Sequence, residues 1–241
     1  MTTILLVDDN DDLRRIFTLF LKAKGYSVSA AASGRECLAL LTGLRPDLIL
    51  LDIMMPEMDG WEVLCAIKTS PETRNLPVVM CSGKVPTPEE IEDYGRDIEE
   101  YLVKPLELRS LTGTLNRVME LHRSRICTRE NLARKFPGLH QFDMFDDHLK
   151  KIGLLEKFSR QFCGEREKTE QVIRDHKTML ITIRNTFPPS VTDADLGLHA
   201  GGPGTGLLRA ALVTPDRGGP PGPMANPAVM TMGGNFPGGE L

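Results

Sequence analysis

The chain has 241 residues, of which 41% are hydrophobic and 26% charged, with a net charge of −4. That length accommodates one large domain, or one of about 120 residues with something attached. No apolar run approaches the roughly 18 residues that a membrane span needs, and Asp8, Asp9, Asp11 and Asp12 follow Met1–Leu6 too closely for a signal peptide to be expected. The five cysteines (Cys37, Cys65, Cys81, Cys127 and Cys163) show no CxxC spacing. They exclude a disulfide framework or zinc knuckle and point to a reducing cytoplasm.

Charge is unevenly distributed. Residues 1–122 carry 20 acids and 13 bases, whereas residues 123–190 carry 9 acids and 14 bases. Residues 191–241 hold only 4 acids and 2 bases but 12 of the 22 glycines and 7 of the 17 prolines. Such a composition cannot build a packed core, so a disordered, low-complexity tail is expected there.

Within residues 1–122 short apolar runs alternate with amphipathic segments. Thr3–Val7 reads as a strand; Asp11–Lys24 follows with Leu13, Ile16, Phe17, Phe20 and Leu21 on one helical face, and Gly25 stops it. Tyr26–Ala31 is strand-like, and Ser33 is placed to cap a helix over Gly34–Leu41. Asp47–Leu51 is a buried strand, and the turn signal Asp59-Gly60 precedes a helix over Trp61–Thr69. Pro77–Cys81 and Tyr101–Val103 are the fourth and fifth strands, separated by a helix beginning near Pro88. Leu108, Leu111, Leu115, Val118 and Met119 mark a final helix, read as packing on a sheet rather than as a coiled coil. The order is (βα)₅, which predicts a doubly wound, flavodoxin-like parallel sheet covered on both faces. Its ligand site should lie beyond the carboxyl ends of the strands.

Those ends carry chemistry. The first strand ends in Asp8-Asp9, the third in Asp52, the fourth in Ser82 and the fifth in Lys104-Pro105. Clustered carboxylates repel one another unless they share a cation. A hard ion such as Mg²⁺ suits few protein oxygens plus phosphate and water. A nearby ammonium and hydroxyl are then suited to the other oxygens of a phosphoryl group.

Taken together, Leu5-Leu6-Val7-Asp8-Asp9-Asn10, Asp52-Ile53-Met54-Met55-Pro56-Glu57-Met58-Asp59-Gly60, Cys81-Ser82-Gly83 and Tyr101-Leu102-Val103-Lys104-Pro105 resemble the receiver domain of two-component response regulators. Intervals of 30 residues from Asp52 to Ser82 and 22 from Ser82 to Lys104 fit that family too. The resemblance covers about residues 1–122. It implies that Asp52 is the phosphoacceptor, and that Asp8, Asp9, Asp52 and the backbone carbonyl of Met54 hold Mg²⁺. By the same resemblance Ser82 and Lys104 contact the phosphoryl oxygens, Lys104-Pro105 is a cis peptide, and Tyr101 swings inward as Ser82 moves. The expected partner is a sensor histidine kinase or histidine phosphotransfer protein, with output through the surface of the fourth and fifth strands and helices, where a homodimer is also admitted. Asp9-Asn10-Asp11 also spells the Asp-x-Asp of phosphatases resembling haloacid dehalogenases, but that family has no use for the motif after the third strand.

Seven acids against one base (Arg96) crowd Pro88–Glu100, which leaves room for a basic partner, the chain's own middle region included. In that middle region Phe145, Leu149, Ile152, Leu155, Phe158 and Phe162 form one helical stripe, Gly164 interrupts, and Val172, Ile173, Leu180 and Ile183 form another. Residues 123–190 are therefore expected as a helical extension of unassigned role, in a regulator whose output is contact with a downstream protein. DNA binding is the alternative, disfavoured because bases and acids interleave and Pro137 fits a helix-turn-helix poorly.

Overall fold

The computed structural model describes residues 1–139, 141–159, 161 and 166–198. Five strands, β1 (Thr3–Val7), β2 (Ser27–Ala31), β3 (Leu48–Asp52), β4 (Val78–Ser82) and β5 (Glu100–Val103), form one parallel sheet in the order β2-β1-β3-β4-β5. Helices α1 (Asp11–Ala23), α2 (Gly34–Leu41), α3 (Gly60–Thr69), α4 (Pro88–Tyr94) and α5 (Leu108–Lys135) alternate with them. Every residue of β3 and β4 is buried, which is why both read as unbroken apolar runs.

Alternation along the strands divides the core. Ile4, Leu6, Leu50, Val79 and Cys81 meet Phe17 and Leu21 of α1 and Leu111, Leu115 and Val118 of α5. Leu5, Val7, Ile49, Leu51 and Met80 point the other way, toward Cys37, Val63, Leu64, Ile67 and Ile91 of α2, α3 and α4. The caps follow their residues: Asn10, Ser33, Asp59 and Thr87 each accept a backbone N–H three residues on, and Asp59 and Thr87 complete reciprocal capping boxes with Glu62 and Glu90.

Beyond the sheet the structure departs from expectation at both boundaries of the middle region. The boundary expected at residue 122 falls inside α5, which runs on to Lys135, 28 residues in all, because no Gly or Pro lies between residues 123 and 136. Helices α6 (Gln141–Phe158) and α7 (Arg166–Thr186) form the anticipated pair, and they pack both on each other and on the sheet domain. Phe145, Ile152, Leu180 and Ile183 pack together with Leu132 of α5, while Leu154, Leu155, Phe158 and Ile173 join the core containing Trp61, Ile91 and Tyr101. The disorder expected from residue 191 does not hold for residues 191–198: Val191 and Leu196 are buried in the α6–α7 core, and Asp195 pairs with Lys135 at 2.6 Å. Phe162, the interruption at Gly164 and residues 199–241 lie outside the described residues. Among the described residues no helix is long and apolar enough to cross a membrane.

Candidate functional site

Chain order reverses between β1 and β3, where a crevice opens beyond the strand ends. Pairing of Val7 with Leu51 sets Asp8 beside Asp52. Pairing of Ser82 with Val103 brings Lys104, the next residue, to the same rim. Gly60 lets α3 start against this rim, since a Cβ there would stand 2.3 Å from the Asp52 carbonyl oxygen.

Asp8 and Asp52 are buried, and Asp9 is exposed beside them. One carboxylate oxygen from each of the three lies within 4.8 Å of the others. The Lys104 ammonium bridges the two buried carboxylates, 2.7 Å from Asp8 Oδ2 and 2.9 Å from Asp52 Oδ2. Burial opposes its charge, but hydrogen bonds to Asp8 and Asp52 hold the Lys104 pKa above its ordinary value. Asp8 is fixed further by the Asn10 amide on Oδ1 (2.9 Å), while Arg14 donates to its main-chain carbonyl (2.6 Å).

Three carboxylates facing one ammonium leave negative charge uncompensated. An all-oxygen set of this kind, open on the side of Asp9, can hold a hard divalent cation.

The other anticipated residues are placed as follows. Ser82 is fully buried at the end of β4, and its Oγ accepts the Lys84 amide at 3.1 Å. Met54 is 64% exposed at the mouth of the crevice, where its amide approaches Asp52 Oδ1 at 3.4 Å. Lys104-Pro105 is cis. Tyr101 is buried, pointing inward, and its hydroxyl donates to the Lys84 carbonyl at 2.8 Å. Desolvation pushes that phenol up to about 12.

The sequence left open what the acidic stretch around α4 meets. It meets the chain's own extension. Glu89 pairs with Lys168, Glu92 with His176 (2.5 Å) and Lys151 (3.8 Å), and Glu100 with Lys157 (2.8 Å). Glu99 takes Lys150 (2.8 Å), His122 (3.2 Å) and Arg125. Burial pushes the Glu99 carboxyl up, yet Lys150, His122 and Arg125 together hold it well below the usual carboxylate range. The face expected to take a second copy is thus covered by α6 and α7. Contacts of Lys157 and Phe158 with β5 were missed; the complementary charges of the two segments were the signal that could have suggested them.

The family model for the response regulator receiver domain matches residues 4–116. The transcriptional regulatory protein AfsQ1 of Streptomyces coelicolor is 34% identical over 49% of this chain and 52% of its own length. A probable cyclic di-GMP phosphodiesterase of Vibrio cholerae is 36% identical over 51% of this chain and 28% of its own. The chain therefore spans about half, or less, of the length of these curated relatives. Among solved structures, the N-terminal domain of a response regulator receiver protein from Methanoculleus marisnigri JR1 is 47% identical over 49% of this chain and 96% of that one, with a TM-score of 0.43. The family match places a response regulator receiver domain at residues 4–116 of this chain.

Proposed function

We infer that the protein is a cytoplasmic two-component response regulator whose Asp52 accepts a phosphoryl group from a sensor histidine kinase or a histidine phosphotransfer protein. The observation that carries this reading is the Lys104 ammonium lodged between Asp8 and Asp52 at the switch point of the sheet. Mg²⁺ bound by Asp8, Asp9, Asp52 and the Met54 carbonyl would supply charge neutralisation to the incoming phosphoryl oxygens.

The chain's own groups do the rest. An Asp52 carboxylate oxygen attacks phosphorus as the P–N bond of the donor phosphohistidine breaks, and the imidazole leaves with that electron pair. Lys104 exchanges part of its hold on Asp52 for a phosphoryl oxygen, and Ser82 donates its hydroxyl to another. The product gains about 1.5 to 2 negative charges, which draw the loops after β4 and β5 toward Asp52.

Phosphoryl transfer from acetyl phosphate or a kinase, in the presence of Mg²⁺, tests the assignment. Acid-stable, base-labile label is expected on the wild type and none on Asp52→Asn; label retained by that variant overturns the assignment.

For output, protein contact is favoured over DNA. Lys150, Lys151, Lys157, Lys168 and Arg125, bases that duplex binding would need, face receiver carboxylates instead. Titration with random duplex DNA checks this: steeply salt-dependent binding would restore the transcriptional reading.

A further inference from the structure

Phe158, the last residue of α6, meets the Tyr101 ring edge-on with centroids 5.6 Å apart. Its neighbour Lys157 donates to the Tyr101 carbonyl and to Glu100 Oε1, each at 2.8 Å. Tyr101 is 1% exposed, and its hydroxyl holds the Lys84 carbonyl. The Lys84 amide in turn donates to Ser82 Oγ, and its ammonium pairs with Glu90 of α4 at 2.8 Å. An unbroken series of contacts therefore runs from the end of α6 through Tyr101 and Lys84 to Ser82.

We propose that Phe158 and Lys157 are positioning residues for the phosphoryl site, acting through Tyr101 on the loop that follows β4, so that docking of α6 and occupancy of Asp52 by a phosphoryl group favour each other. The proposal rests on the roles assigned above to Asp52, Ser82 and Lys104.

Its physical basis is preorganisation. With Phe158 against it, Tyr101 cannot leave its place without giving up an aromatic contact and exposing both rings. While Tyr101 stays, Lys84 is held at its carbonyl, its amide and its ammonium, and Ser82 is fixed next to it. A phosphoryl group arriving at Asp52 then meets a loop whose ordering cost has already been met by the packing of α6. Coupling of this kind is reciprocal: a group bound at Asp52 must strengthen the docking of α6 by the same factor. The extension is then an integral part of the switch, and it acts to favour the phosphorylated state.

The test is calorimetric titration of the full chain with beryllofluoride, a phosphoryl mimic, in saturating Mg²⁺, together with amide hydrogen exchange in α6. Phe158→Ala is expected to weaken beryllofluoride binding by about fivefold or more, at the lower edge of ordinary coupling strengths. In the wild type beryllofluoride should slow exchange along α6. Lys157→Met, which keeps the aliphatic stem, should weaken binding in the same direction and carries the test if Phe158→Ala does not fold. Phe145→Leu, which alters the α6–α7 core away from Tyr101, should leave the affinity unchanged. Unchanged or tighter binding in both Phe158→Ala and Lys157→Met overturns the proposal, as does equal weakening by Phe145→Leu. A wild type that binds no beryllofluoride, or an Asp52→Asn variant that binds it equally well, overturns the assignment of the site itself and the proposal with it.

Discussion

Among the described residues, the acid–base cluster at the rim beyond β1 and β3 and the one beneath α6 differ in charge ratio. At the rim three carboxylates share one ammonium. Beneath α6, Glu99 alone draws Lys150, Arg125 and His122, and Arg125 reaches on to Asp146 at 3.0 Å. Both sites are shielded: the Asp52 and Glu99 side chains are 6% and 4% exposed. An under-neutralised cluster keeps a standing affinity for cations and for groups that bring cations with them. A saturated one has no such appetite, and its role is to hold two pieces of chain together.

Substitution separates the two most sharply. Glu99→Gln strips the shared carboxylate from Lys150 and Arg125 and should cost about 3 kcal/mol or more of stability, measured by urea denaturation. Asp52→Asn removes one of three mutually repelling carboxylates and should leave stability unchanged or raised in the same assay. If both variants lose stability equally, the distinction between the clusters fails.

Ligand addition acts at the rim alone. Mg²⁺ at ten times its dissociation constant should stabilise the wild type by about 1.4 kcal/mol. The increment should shrink in Asp9→Asn and persist in Glu99→Gln, as read from thermal unfolding.

Acid provides the finest comparison. Glu99 titrates below its ordinary value in the folded chain, so its contribution is complete above about pH 4.5 and is lost as pH falls through the lower folded value. His148 behaves in a related way at higher pH. Burial, aided by the neighbouring His176 and Lys151, lowers its pKa from the usual 6.5, so the unfolded chain binds its proton first and stability declines as pH drops below that value. Amide exchange in α6 should therefore quicken slightly below about pH 6.5 and more steeply below about 4.5. A single acid transition shared with the β3 amides would contradict the two-step expectation.

The rim was legible in the sequence because its residues sit at strand ends, where a parallel sheet brings distant positions together by topology alone. Asp8, Asp52, Ser82 and Lys104 needed only the order of elements to be assembled. Met54 and Tyr101 were named for their places in motifs, and the structure adds that one is exposed and the other enclosed. The apolar stripes of α6 and α7 were visible through Phe145, Ile152 and Leu180. Where those stripes would dock was not, since helical periodicity reports a buried face and says nothing of its partner. Leu154, absent from the stripe drawn from the sequence, proved to belong to the receiver core. The reach of α5 to Lys135 was likewise hidden, because its second half lacks the apolar spacing of its first and is held by charge, as at Arg125.

That unbroken α5 bears on how the protein can be divided. At 1.5 Å per residue its 28 residues extend about 42 Å, roughly half against the sheet and half against the added helices. Trimming the chain to the family match at residue 116 would sever the helix about a third of the way along and leave Glu99 and Tyr101 facing water where α6 now lies. The excised receiver would be a different molecule from the one embedded in the full chain, with an acidic, aromatic face newly free to self-associate. Binding constants or oligomeric states measured on such a fragment would describe the cut surface as much as the switch.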